Sequence, residues 1–463
     1  MSKKIVFPHT IVIIIFIMIG LILLTWILPA GEFEKQLVNG RKVIVPGTYH
    51  QVSGSPQGLG SMLTAPIKGF IEAAQVIGFC LIVGGAFGML ARTKAIPAAL
   101  NRLLERGKDN PRLNSIIVPI VMVFFSLAGA TFGMSESTLV FVMITIPLAI
   151  ALGYDSIVGI SMSFMAAGVG FAAAITNPFN IGVAHGIAEL PLFSGWEFRV
   201  LIWTVLTSIA IFFVMRYAKR IKRNIQISSV YEIDRDRSVE ISEDSSIKIF
   251  DIRQKIIIGL LFISLILLVY GANQWKWFIN EISALFIALG VLSAVVYRLK
   301  TRDAVDAFIN GAKDMVTAGL IIGMSRGLLV IASQGKIIDT ILFSVSGLGK
   351  SLPPELSVQV IFIFQSLFTF LVPSGSGQAA LTVPIVAPLS DLLEVGRQTA
   401  VTAFHLGDGL FSMLVPTSGV TMGVLSIAKI PYTTWVKWFI RLLLILFGVS
   451  MILLVFALYY FGK

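Results

Sequence analysis

Residues 130–141 read ATFGMSESTLVF, and they interrupt a long apolar run that extends from Asn114 to Leu152. The run is too long for one membrane crossing of ~20 residues, and it is too interrupted for two ordinary crossings. Unpaired backbone is tolerated at membrane depth only where it is buried in protein or lines a cavity. We therefore interpret residues 114–152 as a re-entrant helical hairpin that enters and leaves on one side.

Three further breaks accompany this one. A second apolar run, residues 355–394, is interrupted by VPSGSGQAA (372–380) and predicts a second re-entrant hairpin. Two other spans are broken at ITNPFN (175–180) and at VPTSG (415–419). The four breaks form two matching pairs, one of hairpin tips and one of unwound spans.

The composition places the chain in lipid. Of its 463 residues, 56% are hydrophobic and 13% are charged, with a mean hydropathy of +0.88; soluble domains have about 45–50% apolar and about 25% charged residues. These values exclude a cytosolic enzyme, a nucleic-acid binder and a secreted disulfide scaffold. The single cysteine, Cys80, also excludes a disulfide framework and a cysteine-rich metal site.

The sequence predicts an all-α integral membrane protein with nine full spans and the two hairpins. The spans are 11–29, 67–91, 156–181, 198–216, 256–270, 282–297, 308–333, 400–425 and 435–460. With this topology the basic segments 92–112, 216–255 and 429–441 all lie on the side of the N-terminus. The positive-inside rule then predicts a cytoplasmic N-terminus and an external C-terminus, and it accounts for most of the net charge of +11.

The two halves of the chain match each other. GIAELP (186–191) corresponds to SIAKIP (426–431) at an offset of 240 residues, and Phe171 corresponds to Phe411 at the same offset. Upstream, Thr131-Phe132 corresponds to Thr369-Phe370 at an offset of 238. Because the first copy starts outside and the second starts inside, the repeat is inverted. Inverted repeats with interrupted helices in matching positions are typical of secondary transporters, and the breaks mark the site at the midplane.

This repeat divides the chain into five parts. Residues 1–63 hold the first span and a polar outer loop, and residues 433–463 hold the last span. Residues 64–195 form the first copy with hairpin 114–152, and residues 301–432 form the second copy with hairpin 355–394. Between the copies, residues 196–300 are linking spans of a scaffold, with a cytoplasmic loop at 217–253.

The hairpin tips supply the first candidate substrate ligands. Helix N-termini with free N–H groups suit a carboxylate, and hydroxyl oxygens suit Na⁺. Glu136 could hold an amino group, a cation or a proton; the alternative is a capping carboxylate near the hairpin opening. The predicted tip residues are Ser135, Glu136, Ser137, Thr138, Ser374, Gly375, Ser376 and Gln378.

The broken spans supply the rest. Proline frees a carbonyl in each break, and the neighbouring candidates for substrate binding are Asn177, Asn180, Thr417 and Ser418. For ion coupling we select Asp408, His405 and Thr176; the alternative for Asp408 is a structural ion pair with Arg326. Na⁺ could bind at Ser135, Asn177, Ser376 and Asp408. No His/Cys/Asp cluster has transition-metal spacing, so no cofactor is predicted beyond Na⁺ or H⁺ coupling.

Several of these motifs together are similar to a known family. WILPAGEFE (26–34), the SES-bearing tip, ITNPFN and PSGSGQA resemble the YfcC branch of the DcuC-like anaerobic C4-dicarboxylate carriers over nearly the whole chain. That family is distantly similar to the ion transporter superfamily. The resemblance implies a homodimer in a bacterial plasma membrane, in which each protomer has a scaffold and an elevator-type transport domain with two hairpins.

The tips depart from the pattern of the superfamily. In its divalent anion/sodium symporters both tips carry Ser-Asn-Thr, which binds Na⁺ and the substrate carboxylate. Here the tips read Ser-Glu-Ser-Thr and Ser-Gly-Ser-Gly-Gln. The YfcC branch is described as transporting basic amino acids by arginine/ornithine antiport, and two membrane-depth acids, Glu136 and Asp408, are physically suited to a cationic substrate.

The resulting hypothesis is a secondary active transporter for a small amino acid, of the basic amino acid antiporter type. The alternative is an ion-coupled transporter of C4-dicarboxylates or related organic anions or peptides. An enzyme would need a nucleophile–base pair or a metal cluster, and a channel would need a continuous pore; neither pattern is present. The expected partners are the small-molecule substrate, membrane lipid and a second copy of the chain, with no nucleic acid.

Overall fold

The computed structural model describes residues 10–38, 41–45, 47–99, 102, 111–177, 180–235, 237, 251–275, 277, 279–346 and 352–462. Within them, six helices are long and apolar enough to cross a membrane: Ala74–Arg92, Ser156–Ala173, Trp196–Arg223, Ile279–Tyr297, Thr301–Gln334 and Tyr432–Phe461. The chain is therefore a predominantly helical, multi-pass membrane protein. The total of nine spans stays a prediction.

The helices are numbered here in chain order. Their bounds are α1 Thr10–Ile27, α2 Leu59–Glu72, α3 Ala74–Arg92, α4 Pro111–Phe132, α5 Thr138–Ala151, α6 Ser156–Ala173, α7 Ile181–Ile187, α8 Trp196–Arg223, α9 Ile252–Gln274, α10 Ile279–Tyr297, α11 Thr301–Asp314, α12 Val316–Gln334, α13 Ile338–Ser346, α14 Pro354–Phe368, α15 Gly375–Leu392, α16 Arg397–Ser412, α17 Gly419–Ile427 and α18 Tyr432–Phe461. Helix α6 contains a π-helical turn at Ser161–Met165.

Residues 31–51, predicted as part of a polar outer loop, contain short strands that the sequence analysis did not foresee. Strands β1 (Gly31–Glu32) and β4 (His50–Gln51) pair antiparallel, as do β2 (Lys35–Val38) and β3 (Arg41–Ile44). Buried Phe33 and Ile44 pack in one cluster with Phe368 and Val372. The outer loop therefore lies against the second hairpin just before its tip.

The two regions predicted as repeat copies contact each other through two pairs of helices. Helix α2 lies along α12, and α3 lies along α11. At these crossings glycines take the place of side chains: Gly69 lies against Gly323 and Gly327, and Gly88 lies against Gly311. Small residues let membrane helices approach closely where no hydrophobic force drives them together. A single residue separates the consecutive helices in each region: Ala73 lies between α2 and α3, and Met315 lies between α11 and α12.

The helix that precedes each tip packs on a helix that ends at one of the two breaks. Helix α4 lies against α6, where Gly129 leaves room for the Ala167 carbonyl and Gly170 for the Ser126 carbonyl. Helix α14 lies against α16, where a Cβ on Gly407 would come within 3.0 Å of Gln365 and Ser366 atoms. This repeated arrangement places the two tips beside the two breaks.

Polar contacts tie together helix ends that carry basic residues. Asp155 precedes α6 and accepts hydrogen bonds from the Tyr217 hydroxyl at 2.5 Å and from the Ser228 hydroxyl at 2.7 Å. The Gln254 amide donates to the Thr93 carbonyl at 3.2 Å. The basic C-terminal end of α8 thus lies at the start of α6, and the end of α3 lies at the start of α9.

The close packing of α3 on α11 at Gly88 can be tested with two alanine substitutions in α3. In Gly88→Ala the new Cβ would meet the Ala307 carbonyl and the Gly311 Cα, so the crossing must open. In Gly78→Ala, also in α3, nothing lies within 4 Å of the new Cβ. We expect Gly88→Ala to lower the Tm of the detergent-purified protein by several degrees and Gly78→Ala to leave it unchanged or slightly higher, since alanine favours helix by roughly 1 kcal/mol over glycine. Equal Tm values for the two variants would contradict this packing.

Candidate substrate cavity

A cavity of about 340 Å³ lies where the two hairpin tips meet the second break. Its volume is near the lower end of the ~300–1,000 Å³ range of small-molecule sites. Nine of the residues predicted from the sequence line it: Ser135, Glu136, Thr138, Ser374, Gly375, Ser376, Asp408, Thr417 and Ser418. Six others, Ser137, Thr176, Asn177, Asn180, Gln378 and His405, do not line it.

The first tip is a tight turn between α4 and α5. Gly133 has a φ of +70° and lies against the Asn177 amide, so neither the backbone conformation nor the space suits a side chain there. The Ser135 carbonyl accepts hydrogen bonds from the Thr138 amide at 3.0 Å and from its hydroxyl at 2.5 Å. Ser137 is the N-cap residue of α5. Glu136 therefore lies outside the capping position, and its half-buried side chain lines the cavity.

The second tip begins α15. Ser374 is its N-cap residue and accepts a hydrogen bond from the Gly377 amide at 3.4 Å. A Cβ on Gly375 would lie 3.0 Å from Asp408 Oδ2, so glycine lets the tip approach this carboxylate. Gln378 points away from the cavity: it donates to Gln365 at 2.8 Å and accepts from the Thr369 hydroxyl at 3.1 Å. Its role is to hold the two arms of the hairpin together.

Asp408 is buried, with 1% of its surface exposed. The Asn180 amide donates to its Oδ2 at 3.3 Å, and no basic side chain within the described ranges forms an ion pair with it. Arg326, the partner considered from the sequence, instead pairs with Glu72 at 3.0 Å. Asn180 does not line the cavity but binds Asp408, which does. The alternative considered from the sequence, an ion pair between Asp408 and Arg326, is wrong.

The first break lies behind the cavity, where protein donors occupy its freed carbonyl. Helix α6 ends at Ala174 in the left-handed conformation, with a φ of +47°. The next carbonyl, Ile175 O, accepts two hydrogen bonds from buried Arg199, at 3.1 and 3.3 Å. Thr176 donates through its amide to the Ala130 carbonyl at 3.0 Å. His405 Nδ1 lies 2.6 Å from the Ala172 carbonyl. Thr176 and His405 therefore hold helices together at this break.

At the second break, too, side chains of the protein donate hydrogen bonds to the freed carbonyls. The carbonyls at Met413, Leu414 and Pro416 accept hydrogen bonds from Trp435 at 2.9 Å, Tyr432 at 2.8 Å and Ser325 at 3.0 Å. Among the predicted Na⁺ ligands, Ser135, Ser376 and Asp408 line the cavity, whereas Asn177 lies behind the first tip. Within the described part of the chain, no group of three His, Cys, Asp or Glu side chains could hold a metal ion.

The sequence analysis missed several lining residues. Glu72 and Arg326 come from α2 and α12, and Phe164 and Phe171 come from α6. Phe164 lies in the π-helical turn, and such turns are frequent at functional sites. The signal for Arg326 was present as a guanidinium within an apolar run, but only the fold shows that Glu72 is its partner.

Comparisons with known proteins agree on a family of carriers. A family model described as the C4-dicarboxylate anaerobic carrier, DcuC, matches residues 7–459. A protein of Escherichia coli strain K12 named "Putative basic amino acid antiporter YfcC" is 33% identical over 98% of this chain and 97% of its own length. An uncharacterized protein of Haemophilus influenzae strain Rd is 29% identical over the same shares.

Two solved structures are similar over most of the chain at low identity. The YdaH transporter of Alcanivorax borkumensis has a TM-score of 0.42 and 15% identity, with 96% of this chain and 97% of that chain covered. MtrF of Neisseria gonorrhoeae, described among antimetabolite efflux pumps, has a TM-score of 0.41 and 15% identity, with 97% and 95% covered.

Substitution of Arg199 tests whether its guanidinium stabilises the first break. Arg199 also donates to the carbonyls of Phe193 at 2.9 Å and Ser194 at 2.7 Å, and each hydrogen bond from a charged donor contributes about 1.5–3 kcal/mol. We expect Arg199→Gln to lower the Tm by several degrees, because it removes donors from buried carbonyls. Arg216→Gln, at an exposed position of the same helix, should leave the Tm unchanged. A Tm for Arg199→Gln equal to that of the parent would show that the break does not depend on this side chain.

Proposed function

Because the chain belongs to the C4-dicarboxylate anaerobic carrier family, we propose that it is a secondary active transporter whose substrate is a basic amino acid of the arginine/ornithine type. The observation that carries this proposal is the pair of acids, Glu136 and Asp408, in one cavity between the hairpin tips. A carboxylate at membrane depth costs about 2.5–3.5 kcal/mol. A cationic substrate offsets that cost when it binds.

The transport mechanism that we propose rests on the predicted inverted repeat. Residues from both tips and from the second break meet at one cavity, and inverted copies provide the two pseudo-symmetric states that alternating access requires. We propose an elevator-type motion in which the hairpins and broken spans move against a scaffold, within a homodimer. The motivation is the family resemblance together with the reciprocal packing of α2 and α3 on α12 and α11.

For coupling we propose exchange or proton movement through Asp408. The freed carbonyls of Ile175, Met413 and Pro416 already accept hydrogen bonds from protein side chains. A Na⁺ site would have to draw instead on hydroxyl groups of the tips and on Asp408 itself.

A C4-dicarboxylate is the second candidate substrate. It is favoured by the description of the family and by one observation, the Arg326 guanidinium on the cavity wall. The two candidate substrates predict different effects of neutralising Glu136 or Asp408. Loss of a negative charge should weaken the binding of a cationic amino acid. It should leave the binding of a dicarboxylate unchanged or improve it.

Binding titrations of charge-removing variants separate the two. Unpairing a charge in a desolvated pocket costs about 2–5 kcal/mol, so we expect Glu136→Gln to weaken arginine binding tenfold or more. We expect Asp408→Asn to remove most of the pH or ion dependence while exchange partly persists. The measurements are isothermal titrations with arginine and succinate and exchange assays in proteoliposomes.

A matched control is Glu197→Gln, which removes an exposed acid in the first turn of α8. It should bind arginine as the parent does. If Glu136→Gln also binds arginine as the parent does, the substrate assignment for the first tip is wrong. Succinate binding by the parent that strengthens in either variant would favour the dicarboxylate.

The proposed orientation can be tested separately, with the N-terminus cytoplasmic and the C-terminus outside. In a Cys80→Ala background, an impermeant maleimide added to intact cells should label a cysteine at His50, in the outer loop, but not one at Gln226, which follows the basic end of α8. Both positions are exposed, and both should be labelled after the membrane is permeabilised. The reverse pattern in intact cells would invert the topology.

A further inference from the structure

Resting on the proposed function, we propose that Arg326 binds the α-carboxylate of the amino acid and that Glu72 competes with the substrate for this guanidinium. The cavity would then recognise both ends of its ligand. Arg326 would select a free carboxylate, while Glu136 and Asp408 would select the positive charge of the ligand. Glu72 would be a built-in stand-in for the substrate carboxylate.

The hydrogen bonding of Arg326 leaves room for a second carboxylate. Its Nε donates to Glu72 Oε2 at 3.0 Å, and its Nη1 and Nη2 make no hydrogen bond to the residues that the structure describes. A guanidinium carries five N–H donors in a planar fork that matches a carboxylate in two-point geometry. Glu72 therefore holds only the Nε donor, and a ligand carboxylate at the remaining donors on the cavity wall competes with it for the charge of the guanidinium.

The ion pair between Glu72 and Arg326 is exposed enough for a ligand carboxylate to take the place of Glu72. The side chains are 45% and 38% exposed, and ion pairs with this much solvent contribute little net stability. Glu72 is the last residue of α2, immediately before the interruption at Ala73. A carboxylate supplied by the ligand can replace Glu72 without leaving a buried charge unpaired.

The backbone around Arg326 is held more firmly than its side chain. The Ser325 hydroxyl donates to the Pro416 carbonyl at 3.0 Å, which joins α12 to the second break. A Cβ on Gly327 would lie 2.9 Å from the Ala65 carbonyl, so α12 is also in close contact with α2. The backbone at Arg326 is thereby fixed in position relative to both the end of α2, where Glu72 lies, and the second break.

The test compares arginine with agmatine, which keeps the guanidinium and lacks the carboxylate. Isothermal titration on the detergent-purified full chain should show that the parent binds arginine at least tenfold more tightly than agmatine. Arg326→Gln should weaken arginine binding tenfold or more and leave agmatine binding unchanged or stronger, since it removes a positive charge from the cavity. Glu72→Gln should strengthen arginine binding severalfold, because the internal competitor is gone.

Arg302→Gln is the matched control, since Arg302 is 93% exposed and lies outside the cavity; it should bind both compounds as the parent does. Equal affinity of the parent for arginine and agmatine would overturn this inference alone. So would weaker arginine binding in Glu72→Gln, which does not depend on how well Arg326→Gln folds. A parent that binds neither compound would overturn the proposed function and this inference with it.

Discussion

Every backbone carbonyl that loses its helical partner at membrane depth needs another donor, and the structure around the cavity depends on this requirement. At the first break the donor is the guanidinium of Arg199, which bonds the Ile175 carbonyl. At the second break the donors are side chains of Trp435, Tyr432 and Ser325. An unsatisfied group in hydrocarbon costs several kcal/mol, so these donors allow both spans to unwind beside the cavity.

The same donors bear on ion coupling. Broken helices in transporters commonly present free carbonyls to Na⁺. In this protein the guanidinium of Arg199 donates to a carbonyl of the first break, and uncharged side chains donate to the carbonyls at the second break. An ion or a charged ligand can still bind the groups that face the cavity, which include the hydroxyl groups of the tips, Glu136, Asp408 and the Glu72–Arg326 pair. Under the proposed function, coupling would depend on these carboxylates, whose charge a proton or a cationic substrate can neutralise.

Several features were predictable from the sequence because they depend on local chemistry. Glycines, prolines and small hydroxyl residues mark the tips and breaks wherever they stand in an apolar run, and the family assignment drawn from such motifs is confirmed. The partners of Asp408 and Arg326 were not predictable, since Asn180 is 228 residues from Asp408 and Glu72 is 254 residues from Arg326. The role of Arg199 was also missed, because its bonds are to backbone carbonyls and leave no charge pattern in the sequence. Strands of two to four residues in the outer loop carry too little periodicity to be recognised.

The central claim is that one cavity, lined by both tips and the second break, binds the transported molecule. A cryo-electron microscopy structure of the protein in lipid nanodiscs with saturating arginine tests this directly. The account predicts ligand density between the tips at Ser135 and Ser376, with a nitrogen of the ligand within hydrogen-bond distance of Glu136 or Asp408. Arginine density outside this cavity, or inside it without contact to either carboxylate, would contradict the account.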